Sequence, residues 1–146
     1  MTLREHADVL DSTVEDVVLS MWTDADVQAA DPSLAAGRTG DEFWATVPLD
    51  GTLPLLVGVT CDRELADRVA VHLFGEHTVT DADRLDALGE LANLVAGRVK
   101  VELCPGGSTG LPTTGMGGGT GAPDGPGSDY LVDGALLRLD LRVRVA

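Results

Sequence analysis

The stretch "DALGELANLVAGRVKVEL", Asp86 to Leu103, sets Asp86, Glu90 and Asn93 four and three residues apart in a segment otherwise rich in Ala, Leu, Val and Gly. At about 100° per residue it forms an amphipathic helix. Leu85, Leu88, Ala92, Val95 and Val99 fall together and are expected to face the core. Asp86, Glu90, Asn93 and Gly97 fall on the opposite side, flanked by the small residues Ala87, Gly89 and Ala96. Thr80 followed by Asp83 resembles a capping box that starts this helix. Periodicity alone fits any surface helix, so Glu90 and Asn93 form an accessible ridge without yet forming a site. Asn is a poor helix former, which makes Asn93 the residue in need of a reason.

Working outward, Thr2 to Met21 carries Val9, Leu10, Val14, Val17, Val18 and Met21 at helical spacing. "TDADVQAADPSLAAGRTGD" after it reads as a loop with at most a short helical turn. "EFWATVPLDGTLPLLVGVT" reads as a β-hairpin around Asp50-Gly51, a dipeptide suited to the positive φ angles of a two-residue type I′ turn. Pro48 and Pro54 cannot donate ladder hydrogen bonds and point to strand ends or a sheet edge. Asp62 is placed to N-cap a helix running to about Phe74, with Gly75 as its left-handed stop and Leu65, Val69 and Leu73 as its buried stripe. In "LLRLDLRVRV", Leu137, Leu139, Leu141, Val143 and Val145 alternate with Arg138, Asp140, Arg142 and Arg144, the pattern of a strand with one buried and one wet face.

The chain has 146 residues, one ordinary domain with room for a real core, and its hydrophobic fraction of 44% is that of a globular protein. With two Trp, two Phe and one Tyr, the core must be built mostly from Leu, Val and Ala. A net charge of −14 argues against nucleic acid, whose phosphates need clustered Lys and Arg, and against an anionic membrane surface. No apolar run reaches membrane-spanning length, and "MTLREHADVLD" lacks the basic start and apolar run of a signal peptide. A cytoplasmic protein with two reduced thiols, Cys61 and Cys104, is expected.

The Gly/Pro-rich stretch at about 105–128 reads as a flexible surface loop. It is not a phosphate-binding loop, since no Gly-Lys-Ser/Thr follows. His6, His72 and His77 are scattered, so no metal site is expected.

"DALGELAN", Asp86 to Asn93, resembles the signature of the CheC/CheX/FliY phosphatases of bacterial chemotaxis: Asp or Ser, three residues, Glu, two residues, Asn. The similarity continues in "LVAGRVK" with its small residue, Gly and Lys, and resumes at "LPTTG", Leu111 to Gly115, which is similar to the family's proline-containing segment. The interval from Asn93 to Pro112 is somewhat shorter than in the family. The resemblance implies an α+β, two-layer CheX/CheC-like fold over residues 1–146. Its sheet would be rich in antiparallel pairs with helices on one face, and two long helices would be related by pseudo-symmetry. CheC-type members carry two motifs. Here the N-terminal helix offers "DSTVEDVV", with Val18 where Asn would stand, and a single intact motif is the CheX pattern.

The resemblance further implies hydrolysis of the aspartyl phosphate of a CheY-like response regulator. The regulator supplies its own Mg²⁺ and a Lys beside the phosphoryl group, so the protein needs no cofactor. What remains is to hold water in line for attack, and positioning carries most phosphoryl-transfer catalysis. An amide does this without adding repulsive charge, the role assigned to Asn93. Glu90 is assigned to anchor the regulator by pairing with its Lys. Asp86, Gly97 and Pro112 are assigned partner contact or support. A homodimer is expected by the same resemblance. Two other readings stand beside it: a non-catalytic CheX-like binding or dimerisation module in a signalling or flagellar switch pathway, and an unrelated α/β ligand-binding domain that happens to contain the octapeptide.

Overall fold

Period-two alternation in two apolar runs builds the middle of the sheet. In β2 (Phe43–Asp50), Phe43, Ala45, Val47 and Leu49 turn inward, and in β3 (Leu55–Cys61), Leu55, Val57, Val59 and Cys61 do the same. The two pair antiparallel from Phe43–Cys61 to Leu49–Leu55. The computed structural model describes residues 3–31 (side chains from residue 7 on), 42–76, 79–117 and 127–144. Within these residues the elements run α1 (Leu3–Met21), β1 (Val27–Ala29), β2, β3, α2 (Arg63–Phe74), α3 (Asp81–Leu103), β4 (Ser108–Thr109), β5 (Thr113–Met116), β6 (Gly127–Val132) and β7 (Ala135–Val143). The described residues form a seven-stranded sheet ordered β1-β6-β7-β3-β2-β4, with β5 also on β2, and every pairing is antiparallel. Val95 and Val99 of α3, Leu10 and Val14 of α1 and Leu65 and Val69 of α2 join the inward strand residues in one core. This is the expected two-layer α+β arrangement.

Several local expectations are corrected. The hairpin at Asp50 exists, but its turn is not the two-residue one: Leu49 pairs with Leu55, so five residues connect them. Gly51 is not among the residues of positive φ. Its requirement is steric, because a Cβ there would lie 2.4 Å from the Cys104 sulfur, which plugs the turn. The two-residue turn with positive φ is Asp133-Gly134 (49° and 87°), between the paired Val132 and Ala135. Pro48 lies inside the ladder, opposite Leu56, where β4 gives way to β5, and its carbonyl accepts the Gly110 N–H. The missing proline N–H thus falls at a break in the neighbouring strand.

The segment expected as loop at 23–41 contains β1, paired to β6. The Gly/Pro-rich stretch is partly sheet: β4 and β5 line β2, and β6 begins at Gly127. Residues 118–126 of that stretch lie outside the described residues, as do His77 and Val145 and the side chain of His6. Leu73 is not part of the α2 stripe. Ala66 and Ala70 join Leu65 and Val69 instead, and Leu73 is exposed. The outward face of β7 is less wet than expected, for Asp140 is 2 % exposed and Arg138 donates to buried Asp129 at 2.9 Å.

One long-range contact ties α1 to the sheet. The Tyr130 hydroxyl, buried on β6, donates to Asp11 Oδ1 at 2.7 Å. Burial first, and the Asp11 carboxylate second, push the phenol pKa well above its ordinary value. A raised folded pKa means that the stabilisation is complete below the unfolded value of about 10 and is lost as pH rises through the folded value. Urea titrations at successive pH values are therefore expected to show an alkaline loss of stability starting near pH ~10 that Tyr130→Phe flattens. At neutral pH the same substitution is expected to cost about 1–2 kcal/mol.

Candidate functional site

The site is built on α3. Thr80 caps it through Asp83: the Asp83 N–H donates to the Thr80 hydroxyl and the Thr80 N–H donates to the Asp83 carboxylate, at 3.2 and 3.0 Å. At its N-terminal end, Arg84 donates to Asp81 at 2.6 Å and also to Asp67 on α2. Arg63 reaches the same Asp81 at 3.3 Å. Both guanidinium groups lie over the Phe43 ring, Arg63 at 5.4 Å and Arg84 at 6.0 Å from its centroid. On the other flank, Arg98 pairs with Asp16 of α1. Each such pair contributes little on its own. Together they fix the rotation of α3 between its two neighbouring helices.

That rotation sets what faces outward. Asp86 and Glu90 are exposed, and Asn93 and Gly97 are half-buried along the same line. The four residues expected on one ridge are therefore brought together on it. Asp86 and Glu90, at i and i+4, have Cβ atoms roughly 6 Å apart. Observed boundaries bear on Asp86: the helix begins at Asp81, so Asp86 sits in the second turn, past the reach of the N-terminal dipole. Nothing within 4 Å would meet a Cβ at Gly97, so the space beside Asn93 is open. Among the described residues, no hydrogen bond or ion pair engages the side chains of Asp86, Glu90 or Asn93.

The small residues play a different part from the one expected. Ala87, Gly89 and Ala96 are buried, and so is Leu91, because the sheet lies beneath α3 and helices flank it. Leu94, beside Asn93, is 47 % exposed instead. Gly89 faces Pro112 and Thr114, and a Cβ there would meet Pro112 Cγ and Thr114 Cγ2 at 3.6 Å, ordinary contact. Sterics do not require this glycine; its hydrogen keeps the space above it open. That space is a groove of about 440 Å³ lined by Phe74, Leu85, Asp86, Gly89, Glu90, Pro112 and Thr114. Pro112, far away in sequence, thus stands against the motif helix.

Phe74, 42 % exposed, is the lining residue that sequence reasoning passed over. Its signal was the pair Leu73-Phe74 before the Gly75 stop, since two consecutive large apolar residues at a helix end cannot both face the core.

The partial copy on α1 is closed off. Val18 is buried in the core, and of the two exposed motif carboxylates, Asp11 and Glu15, Asp11 is taken up by Tyr130. An amide at position 18 would therefore point inward.

Among the described residues, no three His, Cys, Asp or Glu side chains gather as a metal site. His72 packs edge-on to Trp22, with ring centroids 5.7 Å apart. Cys61 and Cys104 are buried thiols that are not joined in a disulfide. No described helix is long and apolar enough to cross a membrane.

None of the curated proteins matches this chain. Among solved structures, CheX from Vibrio vulnificus superposes with a TM-score of 0.70 at 17% identity, over 97% of this chain and 99% of that one. CheX from Desulfovibrio desulfuricans gives 0.69 at 16%, over 96% and 99%. A chain of the Borrelia burgdorferi CheX–CheY complex with BeF3 and Mg gives 0.62 at 15%, over 94% and 97%. At these identities the superpositions establish the fold. The family model described as "Chemotaxis phosphatase CheX" matches residues 43–123, more than half of the sequence and inclusive of the whole ridge and groove. The chain belongs to the CheX chemotaxis phosphatase family.

Proposed function

We propose that this protein hydrolyses the aspartyl phosphate of a CheY-like response regulator by inserting Glu90 and Asn93 into the regulator's active site. The observation that carries this reading is the exposed Glu90 with Asn93 one turn further on the same outward line of a helix that is otherwise locked in place. The complex of a related CheX with CheY, BeF3 and Mg supports the choice of partner.

The division of labour follows from charge. A carboxylate approaching a phosphoryl group is repelled unless a cation stands between them. Glu90 therefore pairs with the regulator's Lys and orients the two proteins, while the neutral amide of Asn93 accepts from and donates to the attacking water. Water attacks the phosphorus in line as the bond to the aspartyl oxygen breaks, giving inorganic phosphate and the free carboxylate. Mg²⁺ belongs to the regulator and offsets charge on the phosphoryl oxygens. Asp86, Gly97 and Pro112 serve this site as partner contact, open space and groove wall. The expected form is a cytoplasmic homodimer, which a mass measurement in solution checks.

Phosphate release from a phosphorylated receiver domain, with Mg²⁺ present, tests the reading. Added protein is expected to accelerate release. Glu90→Ala is expected to lower kcat/KM by tens-fold, about 2 kcal/mol, as the regulator's Lys is left without its counter-charge. Equal rates for wild type and Glu90→Ala would remove the anchor from the account.

A further inference from the structure

We propose that the groove beside the ridge receives a second basic side chain of the response regulator, a Lys or Arg distinct from the one paired with Glu90. Asp86 is its counter-ion, and the Phe74 ring and Pro112 enclose its aliphatic stem. This inference rests on the regulator-phosphatase reading and adds to it a recognition pocket outside the reacting centre.

Three observations converge on that occupant. First, Glu90 belongs to both the ridge and the groove lining, so a partner seated on the ridge also covers the groove. Second, among the described residues the lining is apolar at Phe74, Leu85, Gly89 and Pro112 and carries charge of one sign, from Asp86 and Glu90, with no Lys or Arg. An apolar plug would strip water from two carboxylates without compensation. A long cationic side chain lays its methylenes along the apolar wall, places its head at the carboxylate and gains from the face of the phenyl ring. Third, some carboxylates elsewhere on this surface are matched by the chain's own arginines, Asp16 by Arg98, Asp67 and Asp81 by Arg84, Asp133 by Arg68 and Asp50 by Arg144, while others, Glu15, Glu64 and Glu102 among them, have no such match among the described residues and stand open to an outside cation. Asp86 and Glu90 have no such match among the described residues. Asp86 lies one turn from Glu90, a rise of about 6 Å, so the two cations of the regulator should stand about that far apart on its surface.

The test is the affinity of the full chain for a receiver domain held in its activated state with beryllium fluoride and Mg²⁺. Asp86→Asn and Phe74→Ala are each expected to weaken binding by about tenfold, and Asp86→Asn should flatten its salt dependence. Both side chains are exposed, so the fold is not at stake. Replacing the receiver's surface Lys and Arg one at a time should reveal one residue whose loss is silent in the Asp86→Asn background. Unchanged affinity and salt dependence in Asp86→Asn, or the absence of any such coupled receiver residue, overturns the inference while leaving the phosphatase reading intact. Groove variants that weaken binding to a wild type without turnover support the pocket and defeat the phosphatase reading instead. Failure of wild type to bind the activated receiver defeats both.

Discussion

Asn93→Ala is expected to lower receiver dephosphorylation by about two to three orders of magnitude while the protein still binds the activated receiver. The acyl phosphate already has a good leaving group, and the regulator already holds the metal and a Lys. The increment left to this protein is orientation of one water, and loss of a positioned donor or acceptor at a reacting centre has an effect of that size. Stability should move the other way. Asn is a poor helix former, its side chain is taken up by no partner among the described residues, and Ala at a helix interior position is favoured by up to about 0.7 kcal/mol. Activity lost with stability kept or raised separates a chemical role from a structural one. Single-turnover phosphate release, paired with a urea titration of the same variant, reads both quantities.

Leu88→Ala is the largest expected stability effect on the same helix. Leu88 has no exposed surface, and the neighbouring core is made of branched aliphatic side chains held by a sheet that cannot collapse freely. The expected cost is about 2–5 kcal/mol, combining lost transfer energy with the cavity left behind. That is a large part of the 5–15 kcal/mol typical of a whole domain. The denaturant midpoint should fall with little change in its slope. Leu94→Ala, half-exposed six residues later, should stay within about 0.5 kcal/mol. Together the two variants report which side of α3 meets the core, and a reversed order would mean that the helix is rotated and the ridge misplaced.

The central strands, the three described helices and the capping of α2 and α3 were legible in the sequence because each rests on local rules. Two β-type runs around Asp50-Gly51 placed β2 and β3, and period-two alternation placed β7. Asp62 and Thr80 announced helix starts, and both make the expected side-chain caps. Two of the three Asp-Gly dipeptides, Asp50-Gly51 and Asp133-Gly134, show where local rules stop. Both suit a type I′ turn, yet only Asp133-Gly134 adopts positive φ at both residues. At Gly51 a tertiary neighbour, the Cys104 sulfur, decides the need for glycine, and that contact is invisible in the dipeptide.

The short strands β1, β4 and β5 escaped for a related reason. Segments of two to four residues, Val-Gln-Ala, Ser-Thr and Thr-Thr-Gly-Met, are too short to show an alternation of their own and become strands because β2 and β6 offer them open ladders. On α3, the helical wheel identified the ridge but underestimated how much of the rest is covered. Packing between two helices above a sheet buries a wider arc than one apolar stripe, and Ala87, Gly89 and Ala96 all fall within it. The same wheel had no means of bringing Pro112 and Phe74 to the helix, since the groove joins three segments far apart in the chain.

The most direct measurement is phosphate release from a phosphorylated receiver in excess over this protein. Release of many equivalents per protein molecule, faster than the receiver's own decay and abolished by Asn93→Ala, is the predicted result. Release no faster than that decay, or an Asn93→Ala variant as fast as wild type, would contradict the assignment of a water-positioning amide on the exposed ridge of α3.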